Sequence, residues 1–217
     1  MVKVERTPEP PASLAIEKAK PNGSYKKDDV VNQLFSDFCG KCYLCEMNEL
    51  QSIEVEHLLP HHNGSNRDRM FDWYNLFLSC SHCNSVKNRT QYESNVVDCC
   101  SVDPETIIQQ EFLDGKVTVT PLSNTAIAIT TASLVKDCFE LRNTAIRTKE
   151  CQTKIRALQK TMTILYKELE KYQSDRTEQT VRTLRAMLNR DYKFAGFTRT
   201  YVRNHIEAYP DLVQYIA

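Results

Sequence analysis

Among the nine cysteines of this 217-residue chain, four fall into two pairs with metal-ligand spacing, Cys42-x-x-Cys45 and Cys80-x-x-Cys83. Two such knuckles supply four thiolates, the donor set of closed tetrahedral zinc sites, which leave no position for water and staple a fold without catalysing. Their expected role is to clamp the segment between them. Cys39 stands at the same spacing from Cys42 as Cys42 from Cys45, so it is an alternative ligand. Gly40-Lys41 suits a knuckle turn and favours Cys42 with Cys45. His82, between two ligands, is expected at the surface, and Cys99, Cys100, Cys138 and Cys151 read as small buried hydrophobes. Between and just after the pairs stand Glu56-His57, Asn75, Asn84 and Lys87. An imidazole titrating near about 6.5 can accept a proton at neutral pH. Carboxylate and amide oxygens suit hard magnesium or manganese ions. A base, with positive charge beside a scissile phosphate and its departing oxygen, is what phosphodiester hydrolysis requires.

The runs IEVEHLLP and YNLFLSCSHCNSVKN resemble the motif of HNH endonucleases, over roughly a quarter of the chain. The resemblance implies a ββα-metal fold with Glu56 as acidic metal ligand, His57 as general base, Asn75 as central asparagine and Asn84 as final ligand. Glutamate stands at 56 where aspartate is more frequent, and asparagine at 84 where histidine is common. Both keep an oxygen available. Asn75 would orient the loop holding His57 through side-chain hydrogen bonds. Lys87 is a reasonable phosphate contact beside the site. Arg67, Arg69 and Arg89 could serve likewise or be solvated, and His61 and His62 could touch phosphate, assist the metal or simply be exposed. More narrowly, CNSVKN after the knuckle, the proline-bearing N-terminus and the helical second half resemble the HNH subunits of bacterial Septu-type anti-phage systems. That implies a nucleic-acid substrate, DNA ahead of RNA, and an ATPase partner docking on the helices. The competing reading is a non-catalytic zinc module that binds nucleic acid or protein.

The elements that must position these groups are legible in part. DDVVNQLFSDF, 28–38, offers Asp28 as a cap and apolar residues at helical spacing. SIEVEH, 52–57, alternates as a half-buried strand with His57 at its end. Residues 61–69 read as a loop, and 81–88 as a short helix carrying Asn84 and Lys87. In EFLDGKVTVT, 111–120, Asp-Gly between two β-prone runs signals a hairpin. Between Pro121 and Ala195 there is neither Gly nor Pro, and Leu134, Cys138, Leu141 and Ala145 begin a long helical stripe. Ser174 or Asp175 can cap a further helix, and Thr198 a last one ending before Pro210.

The whole predicts an α+β chain: an extended N-terminal arm over 1–27, a zinc-stapled ββα-metal (HNH) module over 28–100, and a hairpin with a mainly α-helical partner-binding region over 101–217. An apolar fraction of 41% and a charged fraction of 26% are those of an ordinary globular protein and exclude a disordered or fibrous one. The opening MVKVERTPEPP does not resemble an export signal, no run reaches the length of a membrane span, and the odd cysteine count argues for reduced thiols. A cytoplasmic location is the expectation. Net charge is zero overall, but Lys136–Arg203 carries 16 Lys or Arg against 8 Asp or Glu. That surplus could face phosphates or solvent. Apolar Ile164 and Tyr166 beside the stripe favour a protein partner.

Overall fold

A computed structural model describes residues 1–48, 50 and 52–216. The first half is built around an antiparallel pair, β1 (Ile53–His57) and β2 (Leu76–Cys80), in a register that sets Ile53 opposite Cys80 and His57 opposite Leu76. Between the strands, the stretch expected as a loop over 61–69 runs into the short helix α3 (Arg67–Met70), and helix α4 (Ser81–Lys87) follows β2 at once and packs on both strands. Strand β2 is buried along its whole length because α2 (Asp28–Asp37) packs against it as well. The apolar positions Val30 and Leu34 supply that face of α2, with Asp28 and Asp29 in its first turn and Lys27, not Asp28, at the cap.

The lead-in is not an extended arm. It holds helix α1 (Ala12–Lys18) and is packed along the module. Arg6 lays its guanidinium over the Trp73 and Phe77 rings at 4.8 and 4.7 Å and donates to the carbonyls of Trp73 and Leu76. Trp73 Nε1 donates to Thr7 O at 2.8 Å, and Val4 N to Cys99 O at 3.0 Å. Prolines keep this stretch out of long helices without preventing such packing.

A second antiparallel pair, β3 (Ile108–Leu113) and β4 (Lys116–Pro121), turns at Asp114-Gly115, both at positive φ as a two-residue hairpin demands. Helix α5 (Ala126–Glu140) covers it, and the 30-residue α6 (Ala145–Ser174) packs on α5. Helices α7 (Glu178–Leu188) and α8 (Ala195–Asn204) close the fold around α6. The expected long stripe is interrupted at residues 141–144. Thr144 is extended there and its hydroxyl caps Arg147 N, a local bond that starts a new helix in a different direction. Thr177, not Ser174 or Asp175, caps α7. Thr198 lies inside α8 with its hydroxyl on Met187 O and Ala195 O, and the turn into that helix is made by Phe194 at φ 56°. One continuous cluster of buried side chains runs from Leu14 through Leu78, Phe112 and Phe139 to Leu212. No helix among the described residues is long and apolar enough to cross a membrane.

Candidate metal centre and adjoining polar cavity

The first knuckle is shaped by backbone. Cys39 and Gly40 both take positive φ, and the Phe35 ring crowds Gly40 so closely that an added Cβ would lie 2.9 Å from its Cζ. Beyond this corner, Glu46 N donates to Cys42 O at 2.8 Å and Cys42 N to Met47 O at 3.1 Å, which closes the loop. Tyr43 N donates to Leu78 O at 2.9 Å and ties the knuckle to β2. The second knuckle lies at the junction of β2 and α4, where Cys80 Sγ caps the helix by accepting from Cys83 N at 3.5 Å. The four sulfurs of Cys42, Cys45, Cys80 and Cys83 lie within 4.8 Å of one another, and all four residues are buried. Cys39 is exposed and stands outside the group.

Four buried thiols so close cannot all ionise without a cation. Burial, with Cys42 and Cys80, pushes Cys45 well up, while hydrogen bonds from its neighbours overcome burial and hold Cys42 well down. A soft dication resolves the crowding, and this donor set fits zinc. Lys154 of α6 is the unexpected neighbour. It is 2% exposed, and among the described residues its ion-pair partner is Glu150, at 3.5 Å. Burial pulls its ammonium down, but the sulfurs of Cys45, Cys83, Cys80 and Cys42 more than offset this and raise it above its ordinary value. His82 is likewise not at the surface. The helical half covers it, with Nε2 3.1 Å from Cys138 O and Cys151 Sγ 3.8 Å away, and burial lowers it to about 4.

Beside α4 a cavity of about 340 Å³ is lined by Glu56, His57, Asn84, Lys87, His61 and Tyr25, among others. Strand β1 delivers Glu56 and His57 to it, and α4 delivers Asn84 and Lys87. His57 is 9% exposed, with Nε2 3.1 Å from Met70 O. A carbonyl can only accept, so Nε2 carries the proton and Nδ1 keeps a lone pair. Burial lowers this imidazole to about 4, against the Met70 carbonyl. It is therefore neutral at pH 7. Tyr25 meets its ring edge-on at 4.6 Å between centroids, and the His61 ring lies 4.4 Å away.

Glu56 is buried. Its Oε2 accepts from Tyr43 OH at 2.7 Å, and its Oε1 lies 3.6 Å from Lys87 Nζ. Burial pushes the carboxyl up to about 7, with Lys87 and Tyr43 pulling the other way. Asn84, half-buried on α4, turns into the same cavity. Asn75 does not line it. Its Oδ1 accepts from Leu59 N at 2.7 Å, and its Nδ2 donates to Leu59 O and Arg69 O at 2.9 Å each. It thus fastens the segment after His57 to the turn that supplies the Met70 carbonyl.

The expected phosphate contacts are placed differently. Lys87 is buried, donating to Leu58 O at 3.0 Å beside Glu56. Arg67 donates to Lys18 O and Lys20 O at 2.6 and 2.7 Å, closing the C-terminal end of α1. Arg69 reaches Pro60 O at 3.4 Å, and Arg89 pairs with Asp137 at 2.8 Å. His61 is held by Gly64 N, which donates to its Nδ1 at 2.8 Å. Sequence reasoning missed Tyr43, Tyr25 and Lys154. Tyr43 lies between Cys42 and Cys45, Tyr25 in the proline-bearing lead-in and Lys154 on an amphipathic helix, where nothing in type or spacing sets them apart. The chain matches no protein-family model and no curated protein.

Proposed function

We propose that the chain is a metal-dependent HNH endonuclease that hydrolyses nucleic-acid phosphodiester bonds. The observation that carries this reading is the convergence of Glu56, His57 and Asn84 from β1 and α4 on one polar cavity beside a four-cysteine cluster. His57 accepts a proton from water at Nδ1, and the resulting hydroxide attacks phosphorus. The bond from phosphorus to one ribose oxygen breaks, and that oxygen takes up a proton from solvent. Glu56 and Asn84 fit magnesium or manganese, since both residues line the cavity and both offer hard side-chain oxygens. When bound there, the ion supplies positive charge beside the scissile phosphate. Lys87 holds the Glu56 carboxylate in place, and Asn75 holds the His57 segment. The four cysteines take a structural zinc.

A DNA substrate ahead of RNA, and a place as nuclease subunit of an anti-phage complex with an ATPase partner, belong to the same proposal and rest on the sequence resemblance. Incubation of the zinc-loaded chain with supercoiled plasmid and with RNA, in magnesium and in manganese, tests it. Nicking or linearisation is expected. Intact substrates with about one zinc per chain would support the rival, a non-catalytic zinc module. That rival leaves the convergence of Glu56, His57 and Asn84 without a purpose.

A further inference from the structure

Helix α6 carries Lys149, Arg156, Lys160 and Lys167 at spacings of seven, four and seven residues, which are about two, one and two helical turns. All four therefore share one face, and all four are exposed. Among the described residues none of them has a carboxylate at ion-pair distance or a side-chain hydrogen bond. The acids of the helix are placed elsewhere. Glu150 and Glu168 pair with Lys154 and Lys171, and Glu170 stands nearly a turn beyond Lys167. Surface helices ordinarily interleave opposite charges at three- and four-residue spacing; on this face the one acid so spaced, Glu170 three residues after Lys167, makes no ion pair with it among the described residues. A shallow groove of about 470 Å³ runs along it, lined by Arg156, Lys160, Thr163 and Lys167.

We propose that this face of α6 is a docking strip for the phosphate backbone of nucleic acid. From Lys149 to Lys167 it spans about 27 Å at 1.5 Å per residue, which matches about eight base pairs at 3.4 Å each. A row of cations without fixed anions gains most from a polyanion, because binding releases the ions condensed on the phosphates. The face is poorly suited to an apolar partner. Tyr166, which the sequence offers as apolar surface, is half-buried against Tyr201 at 4.8 Å between ring centroids, so Ile164 is the apolar residue among the cations that line the groove. The strip begins where the module ends, since Arg147 in the first turn of α6 donates to Ser85 of α4. The first turn of α6 thus lies against α4, the helix that carries Asn84. This assignment rests on the nuclease reading for the nature of the polyanion.

The test uses the full chain carrying His57→Ala, so that the probe stays intact, and a fluorescent duplex DNA of about twenty base pairs or a single-stranded RNA of the same length. Anisotropy titrations are run from low to physiological salt. Lys149→Gln, Arg156→Gln, Lys160→Gln and Lys167→Gln combined are expected to weaken binding at least tenfold at low salt. They are also expected to flatten the slope of log affinity against log salt by roughly 3 to 4, at about 0.9 for each phosphate left without its cation. Lys116→Gln, Lys136→Gln, Arg182→Gln and Arg185→Gln, a control of equal charge on other elements, is expected to change affinity less than threefold. Equal losses in the two variants, no loss in the first, or binding of polyglutamate in preference to both nucleic acids would overturn the proposal. Binding through the strip by a wild-type chain that cuts nothing would instead remove the nuclease reading and leave the strip.

Discussion

Lys154 shows what a single buried charge can report. It occupies the inner side of an amphipathic helix, between the apolar positions Cys151 and Leu158, and an isolated ammonium there would be costly. The charge that justifies it is the group of four sulfurs, which with zinc carries a net negative charge. Lys154→Met, close in length but neutral, is expected to speed zinc transfer to a chromophoric chelator about tenfold, while Lys154→Arg stays near wild type. Equal rates in Lys154→Met and wild type would show that the ammonium does not serve the metal. Asn75 is the second residue with a sharp expectation. Its side chain satisfies three backbone groups around Leu59 and Arg69, so Asn75→Ala leaves buried donors and an acceptor unpaired. A loss of about 1–3 kcal/mol in urea unfolding is expected. Asn75 could be found from the sequence because its role depends on a fixed motif spacing. Lys154 could not, because its partner is more than sixty residues away in the chain.

At the scale of elements, the sequence was legible where local chemistry dictates geometry. Asp114-Gly115 set the turn of the β3–β4 hairpin, the alternation of Ile53 and Val55 marked β1, and the run from Ser81 gave α4 with Asn84 and Lys87 on it. It was less legible where several capping residues compete. Ser174, Asp175 and Thr177 all suit a helix start, and tertiary packing selects Thr177; Thr144 interrupts a stretch with no Gly or Pro. Thr144→Ala is therefore expected to cost about 1 kcal/mol, whereas Ser174→Ala, whose hydroxyl only bonds back to Glu170 O and Lys171 O, is expected to change stability little. Equal effects of the two in urea titrations would contradict the cap assignment. Cys80 joins two elements, as a member of the four-cysteine cluster and as the cap of α4. Cys80→Ser is expected to release zinc and melt the first half, and Cys39→Ser to keep both, as read by zinc analysis and circular dichroism.

At the scale of the whole molecule, the helical half does more than follow the module. It covers His82 through Cys138, places Lys154 by the sulfurs, and shares one core with α2 and β2. A chain cut near residue 100 uncovers that surface and is expected to lose cooperative unfolding, which a single sharp thermal transition in the fragment would contradict. The sequence pattern separated a chemistry-bearing half from a helical half, yet gave no sign of their joint core, because packing between distant segments leaves no local periodicity. The same division lets a chain of zero net charge carry a row of exposed cations on one face of α6. What holds the whole reading together is His57 as a base poised between the metal-fitting oxygens and the Met70 carbonyl. The decisive measurement is the single-turnover cleavage rate of plasmid DNA by wild type and by His57→Ala, both zinc-loaded and supplied with magnesium or manganese. A base of this kind contributes about 10²–10⁴-fold, so His57→Ala is expected to fall by at least that lower figure with fold and zinc content unchanged. A variant within about tenfold of wild type, or a wild type that leaves the plasmid intact, would contradict it.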